Sequence, residues 1–260
     1  MKQVKAYVIS NDNILGGGPH RGGQALGGYI IQLRCPEIAS EAKPGHFVMV
    51  RCGDTVVLPR PFSIHQATDN TISLFFAVVG KGTNWLSQRK AGDEVDILGP
   101  SGNGFSIQPG AKNLLLIAGG MGLAPLYFLA QQVITEKRSV TLLLGAAISP
   151  LYPRNLLPSE IKFVPATDDG SVGYHGMVID LVPDFTDWAD QIFACGPMPM
   201  YKAMAKMAEL KGKSVQVSLE TVMGCGRGIC YGCTIKTRRG LKEVCSDGPV
   251  FDLDDILWEE

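Results

Sequence analysis

Four cysteines in the last 41 residues constrain this 260-residue chain more than any other feature. Cys225, Cys230, Cys233 and Cys245 have the spacing C-x4-C-x2-C-x11-C, with Gly226, Gly228 and Gly232 threaded between the first three. A segment this short cannot bury enough apolar surface to fold alone, so something other than a hydrophobic core must organise it. The C-x4-C-x2-C…C order is that of plant-type [2Fe–2S] sites, where a loop wraps the cluster with three thiolates and a distant fourth closes it. Glycines suit such a loop because sulfur atoms carrying negative charge need backbone N–H donors close by, and a backbone without Cβ can approach and turn tightly. One structural zinc would use the same residue types. Zinc ligands usually come as two C-x2-C pairs, and only one such pair occurs here, so the spacing favours iron and sulfur.

The remaining cysteines are Cys35, Cys52 and Cys195, seven in all. An odd count, behind a start Met1-Lys2-Gln3-Val4-Lys5 with no apolar leader, argues against a secreted disulfide framework and points to the reducing cytoplasm. Cys35 and Cys52 lie in strand-like contexts and read as small buried hydrophobes. With 24 Lys+Arg against 25 Asp+Glu the net charge is −1, which offers no field to a polyanion and disfavours nucleic acid as a partner. Residues 113–130 carry no charge, but Gly119, Gly120, Gly122 and Pro125 interrupt them, so they read as strand, turn and helix, with no membrane span.

Two patterns precede the tail. Up to about residue 108 the chain reads as short strands, at 4–9, 29–33, 47–51, 72–79 and 94–98, divided by Gly, Pro, Asn and Asp, which suggests a barrel or sandwich. The glycine-rich stretch 16–28 reads as a long hairpin loop. From residue 109 the pattern becomes strand–turn–helix. Strands are expected at 114–118, 140–144, 163–165, 191–195 and 215–219, and helices at 123–133 and 199–210, which implies a parallel sheet covered on both faces. The expected domains are therefore 1–108, 109–219 and 220–260.

Three short motifs carry the chemistry. Gly119-Gly120-Met121-Gly122-Leu123-Ala124-Pro125 follows a strand and opens a helix, the context that sets a pyrophosphate against a helix N-terminus, although Pro125 departs from G-x-G-x-x-G. In Arg60-Pro61-Phe62-Ser63 an Arg can neutralise a phosphate, an aromatic can stack on a flat ring and a hydroxyl can bond a ring nitrogen. In Gly80-Lys81-Gly82-Thr83, Gly82 and Thr83 offer backbone and hydroxyl donors to a second phosphate. Each alone is also what a tight surface turn looks like.

Taken in order with Leu98-Gly99-Pro100 and Cys195-Gly196-Pro197-Met198, these motifs resemble the ferredoxin–NADP reductase superfamily over about residues 1–219. The tail, from Glu220 through Cys233 and on to Val244-Cys245-Ser246-Asp247-Gly248-Pro249, resembles the electron-transfer subunits of class 1B dihydroorotate dehydrogenases. The resemblance implies a multidomain α+β chain: an antiparallel β-barrel FAD domain, an α/β parallel-sheet domain for NAD(H), and a small [2Fe–2S] domain. It implies that Arg60, Pro61, Phe62 and Ser63 meet FAD, that Gly82 and Thr83 hold its pyrophosphate, and that Gly119, Gly120 and Gly122 leave room for the dinucleotide. Cys195 is implied at the nicotinamide–flavin contact as the catalytic residue; a buried core thiol is the alternative. Simpler reductases end near an aromatic that covers the flavin, so this longer tail is expected against the flavin's open side.

The implied partner is an FMN-containing dihydroorotate dehydrogenase catalytic subunit, in a complex of two copies of each, within pyrimidine synthesis. Related subunits of sulfide dehydrogenases, transhydrogenases or hydrogenases use the same domains with other partners, and a non-catalytic zinc-tailed binding module is the reading from another class. NADH is chosen over NADPH on the resemblance alone. No acidic residue suited to a ribose hydroxyl follows the strand at 140–144, and Arg154 even suits a 2′-phosphate. His20, His46, His65 and His175 are dispersed and receive no role, and Asp168-Asp169-Gly170 reads as a turn, with a role at the nicotinamide site as the lesser alternative.

Overall fold

A computed structural model describes residues 1–20, 23–148 and 152–258 of the chain. The N-terminal strands are β1 (Lys2–Leu15), a small hairpin of β2 (Gly18–His20) and β3 (Gly23–Ala25), β4 (Gly28–Arg34), β5 (Phe47–Val50), β6 (Arg60–Ala67), β7 (Thr71–Ala77) and β8 (Glu94–Ser101). Short helices α1 (Pro36–Ala39) and α2 (Lys81–Ser87) interrupt them. Six of the strands close an antiparallel barrel in the order β1-β4-β7-β6-β5-β8, which leaves no strand edge open. β1 is much longer than the apolar stretch at 4–9. Its first half pairs with β8 and its second half with β4, and the register shifts between Val8 and Ser10, so its polar end turns the barrel's corner. The expected loop at 16–28 holds the β2–β3 hairpin, and residues 21 and 22 of that expectation lie outside the described residues.

The second unit contains β9 (Asn113–Gly119), α3 (Leu123–Thr135), β10 (Ser139–Ala146), β11 (Lys162–Thr167), β12 (Tyr174–His175), α4 (Pro183–Thr186), β13 (Gln191–Cys195), α5 (Met198–Met204) and β14 (Val215–Ser218). Its strands are parallel in the order β12-β11-β10-β9-β13-β14. β9 is buried on both faces: Leu114, Leu116 and Ala118 pack with α3, while Leu115 and Ile117 pack with Met200, Tyr201 and Met204 of α5. The helix expected at 199–210 ends early. After Ala205 the backbone tightens to i→i+3 bonds, from Lys206 N–H to Ala203 and from Met207 N–H to Met204, and a separate 3-10 turn delivers Leu210 to the core.

The tail folds onto both units. It forms the hairpin β15 (Thr234–Thr237) and β16 (Gly240–Glu243), and then β17 (Val250–Asp252), which adds antiparallel to β14 as a seventh strand. One apolar cluster joins Phe47 and Met49 of the barrel, Leu115 and Ile117 of the sheet, and Met223, Val244 and Leu253 of the tail. Burial against two larger domains thus supplies what 41 residues cannot supply alone. Among the described residues no helix is long and apolar enough to cross a membrane.

Candidate functional site

A cleft of about 300 Å³ opens where the three parts meet. Pro61, Phe62 and Ser63 of β6, Phe75 and Phe76 of β7, and Thr83 of α2 line its barrel side. Met121, from the turn after β9, and Ala124, in the first turn of α3, line a second side, and Glu220, Thr221, Met223 and Pro249 of the tail line a third. The tail is therefore a wall of the cleft. The strand β6 was hidden in the sequence by Pro61, which cannot donate to a ladder. It nevertheless pairs, opposite Met49 of β5.

Phe62 packs edge-on to Phe76 with 5.6 Å between ring centroids, and the pair gives the cleft a rigid aromatic floor. Arg60 is exposed at the start of β6, beside Gly82: a Cβ on Gly82 would meet the Arg60 side chain at 3.4 Å and Cys52 at 3.3 Å. The Thr83 hydroxyl accepts from the N–H groups of Val79 (2.9 Å) and Gly80 (3.1 Å), so it caps α2. The polar groups at this end of the cleft are thus held in place. Thr221 was not singled out in the sequence; its hydroxyl oxygen is buried in the tail wall without a hydrogen-bond partner. An apolar, aromatic-floored cleft with a few placed polar groups, one of them unsatisfied, fits a flat ring system with polar edge atoms.

Gly119, Gly120 and Gly122 lie beside the cleft at the carboxyl end of β9. A Cβ on Gly122 would collide with the backbone carbonyl of Cys195, and one on Gly119 would lie 2.5 Å from Pro197. These glycines are therefore required for two strand-end turns to nest against each other. Cys195 ends β13 between Ala118 and Ser218, is buried, and does not line the cleft. The Gly196 N–H donates to the Tyr201 hydroxyl (2.7 Å), which donates to the Ser218 carbonyl (2.6 Å) and ties the two strand ends together.

Arg154 is not free for a phosphate. Its guanidinium donates to the carbonyls of Leu157 (3.2 Å), Pro158 (3.3 Å) and Ile161 (3.3 Å), stapling the connection into β11. At the carboxyl end of β11, Asp168 and Asp169 are exposed; the Asp168 N–H donates to Ala146 at the end of β10, and Asp169 accepts from Ser171 N–H (3.0 Å). A larger hollow of about 640 Å³, lined by Lys137, Arg138, Lys162 and Trp188, lies at the amino ends of β10 and β11. Ligands of open α/β sheets bind at the carboxyl ends, so it plays no part here.

The four tail thiols come together in two pairs. Cys225 lies in hydrogen-bond contact with Cys230, and Cys245 with Cys233, and the two pairs are close enough for Cys225 and Cys245 to act on each other electrostatically. Among the described residues no group of three or more His, Cys, Asp or Glu closes on a single ion position. Backbone donors point at the sulfurs: Arg227 N–H to Cys225 (3.3 Å), Gly228 N–H to Cys245 (3.1 Å) and Cys245 N–H to Cys233 (3.4 Å). Burial raises the Cys225 thiol, but the N–H groups of Ile229, Arg227 and Cys230 outweigh it and bring it down to about 6. Burial and the neighbouring Cys233 push Cys245 up to about 12. Crowded thiols with preset backbone donors are a donor set that a cationic cluster neutralises, and thiols meeting in two pairs suit two metal ions.

Comparison with known proteins agrees with this geometry. Residues 220–257 match the iron–sulfur cluster binding domain of dihydroorotate dehydrogenase B. The chain is 41% identical over 244 residues to the dihydroorotate dehydrogenase B (NAD(+)) electron transfer subunit of Desulforamulus reducens, covering 89% of this chain and 93% of that one. It is 38% identical over 266 residues to the subunit of the same name from Caldanaerobacter subterraneus subsp. tengcongensis, covering 98% and 99%. Among solved structures it is similar to an NADH-dependent reduced ferredoxin–NADP oxidoreductase, with a TM-score of 0.84, 27% identity, and 97% and 90% of the two chains covered. The three-part architecture, the cleft between its parts and these relatives together make the chain a member of the dihydroorotate dehydrogenase B (NAD(+)) electron transfer subunit family.

Proposed function

We propose that this chain moves electrons between NAD(H), an FAD in the central cleft and a [2Fe–2S] cluster on Cys225, Cys230, Cys233 and Cys245. The observation that carries the reading is the shared wall: Thr221 and Met223 line the cleft, and Cys225 is two residues further on. Two residues of extended chain span at most about 7 Å, so cleft and cluster loop are neighbours by covalent necessity. The flavin, when bound, takes the two electrons of a hydride and passes them on singly.

The chain's own groups hold and shield. Phe62, with Pro61, gives the ring an apolar face, Ser63 and Thr221 offer hydroxyls to its polar edge, and Arg60 with the Gly82 backbone meets its phosphates. Thr83 acts by fixing the turn that carries Gly82. The nested turns at Gly119, Gly120, Gly122 and Cys195 set the nicotinamide end of NADH over the cleft, with the buried Cys195 packed against Gly122 behind it. The dinucleotide's other end then lies over β10 and β11, because the cleft occupies the β9, β13 and β14 side. There it meets the carboxylates of Asp168 and Asp169 and, among the described residues, no free guanidinium, which favours a ribose hydroxyl over a 2′-phosphate.

The partner is an FMN-containing dihydroorotate dehydrogenase catalytic subunit, two copies of each chain forming the complex. The relatives are named as subunits, and the cluster loop presents exposed Val222, Ile229 and Tyr231 beside exposed Cys230, an apolar rim suited to a partner face. The site of action is the reducing cytoplasm, in keeping with seven cysteines that form no disulfide. The three parts act as an FAD domain (1–108), an NAD domain (109–219) and a cluster domain (220–260).

Replacement of Cys233 by Ala tests the assignment. The variant is expected to keep FAD and NADH-dependent flavin reduction and to lose cluster absorbance. Retention of the cluster would refute the ligand set. Purification of the chain with its partner from the native source is expected to yield a flavoprotein that oxidises dihydroorotate.

A further inference from the structure

His65 is a buried titratable side chain to which the electron route gives no task. It follows Ser63 by two positions on β6. Phe62 and Ile64 belong to the barrel's inner cluster, so Ser63 and His65 face outward, towards α3. The His65 ring stacks on Tyr127 of α3 with 4.2 Å between centroids and 18° between planes. Its Nδ1 lies 3.3 Å from the carbonyl of Ala124, and its Nε2 lies 3.1 Å from the hydroxyl of Tyr152.

These partners fix the tautomer. A carbonyl brings no proton, so Nδ1 carries the hydrogen and donates it to Ala124. Nε2 is then the bare acceptor, and Tyr152 donates to it. Burial lowers the imidazole to about 3, which keeps it neutral at any working pH and preserves this pattern. Ala124 follows the glycine turn and itself lines the cleft, as does Phe75, whose ring lies 5.7 Å from His65 and 5.2 Å from Tyr152. Tyr152 belongs to the connection between β10 and β11, and the Tyr127 hydroxyl ties that connection further through the Leu156 carbonyl (3.0 Å). One side chain therefore links the flavin strand, the helix that opens at the nucleotide turn, and the loop beyond β10.

We propose that His65 is a positioning residue for hydride transfer: through Ala124 and Tyr152 it sets the distance between the nucleotide turn after β9 and the flavin strand β6. The proposal rests on the electron route above. Its physical basis is that hydride transfer needs the two rings in near-contact, where a displacement of about 1 Å costs on the order of a hundredfold in rate, whereas binding each cofactor separately does not require that alignment.

The test uses the full-length protein with its cofactors and three variants. His65→Phe keeps an aromatic ring and removes both hydrogen bonds, His65→Asn keeps a donor towards Ala124, and Tyr152→Phe removes the hydroxyl that reaches Nε2 and the Tyr127 hydroxyl. FAD and iron per chain are measured first, then the limiting rate of flavin reduction by NADH, and then the long-wavelength absorbance of nicotinamide stacked on flavin. His65→Phe is expected to keep wild-type FAD, iron and flavin midpoint potential, while the limiting rate falls about tenfold or more and the long-wavelength band weakens. His65→Asn is expected to recover most of both signals, and Tyr152→Phe to lose a few-fold. A wild-type rate and band in His65→Phe would overturn the proposal, as would equal loss of FAD in all three variants, which would mark a purely structural residue. If His65→Phe fails to fold, the contrast between His65→Asn and Tyr152→Phe decides, and identical rates in both, equal to wild type, would overturn it. A wild-type flavin that NADH does not reduce would overturn the electron route itself, a result read on the unaltered protein and so distinct from failure of this assignment.

Discussion

Met49 of the barrel fills the space that a side chain on Gly226 of the cluster loop would need: a Cβ there would lie 2.8 Å from the Met49 sulfur and closer still to its Cγ. Gly226 also has φ +64°, which L side chains adopt only under strain. The next residue, Arg227, donates to the Gln3 side chain at 3.2 Å on β1. The cluster loop is thus keyed into the barrel that lines the central cleft. Gly226→Ala is expected to cost about 1–3 kcal/mol and to lower iron and sulfide content while FAD binding persists. Thermal midpoints with iron analysis check this, and Met49→Ala in the same chain is expected to restore part of the loss, because the two changes share one contact.

Thr221 contributes a buried hydroxyl without a partner to the cleft wall. If the flavin edge supplies that partner, Thr221→Val removes a hydrogen bond that exists only in the loaded protein. FAD is then expected to bind about fivefold more weakly, equivalent to about 1 kcal/mol, while the apoprotein is no less stable. Fluorescence titration of FAD into the apoprotein measures the first effect and denaturant unfolding the second.

Asp168 stands exposed at the end of β11 while Arg154 is consumed by three backbone carbonyls. Asp168→Asn is expected to raise kcat/KM for NADPH relative to NADH about fivefold, the scale of one exposed charge interaction of about 1 kcal/mol. Steady-state kinetics with both nucleotides and an artificial acceptor measure the ratio. Arg154→Ala is expected to leave that ratio unchanged and to loosen the connection into β11.

Neutral His65 links stability to pH. Burial lowers its pKa from 6.5 to about 3, so between those values the unfolded chain binds a proton that the folded chain does not. Its contribution to stability is therefore complete above about pH 6.5 and is lost as the pH falls, by up to about 1.4 kcal/mol per pH unit. The titratable groups facing it, Tyr127 and Tyr152, are both raised by burial and stay neutral in this range. Denaturant midpoints followed from pH 7.5 down to pH 5 are expected to fall more steeply for the wild type than for His65→Phe. Equal slopes would mean that the histidine is not held neutral.

Much of the architecture was legible in local patterns. The apolar run before Gly119 and the helical spacing from Leu123 stand where the sequence puts β9 and α3, because strand, glycine turn and helix are specified by neighbours in the chain. The strand β6 was not legible, since Pro61 masks a ladder that β5 and β7 impose from outside, and β17 was not, since its pairing with β14 is a long-range event. The site was read in the same uneven way. Pro61, Phe62, Ser63 and Thr83 do meet in one cleft, whereas Cys195 is buried beside it. Thr221, Asp168 and His65 carry no motif: their significance comes from an unsatisfied hydroxyl, a neighbouring strand end and a carbonyl, none of which periodicity can display.

The central claim is that electrons entering from NADH reach a two-iron cluster on the tail through a flavin in the adjoining cleft. Low-temperature electron paramagnetic resonance of the anaerobic protein, before and after one equivalent of NADH, tests it most directly. The account predicts a silent oxidised protein and, after NADH, the rapidly relaxing signal of a reduced [2Fe–2S] cluster, absent from Cys233→Ala although its flavin still bleaches. A protein that holds zinc, or whose cluster stays silent while the flavin is fully reduced by NADH, would contradict it.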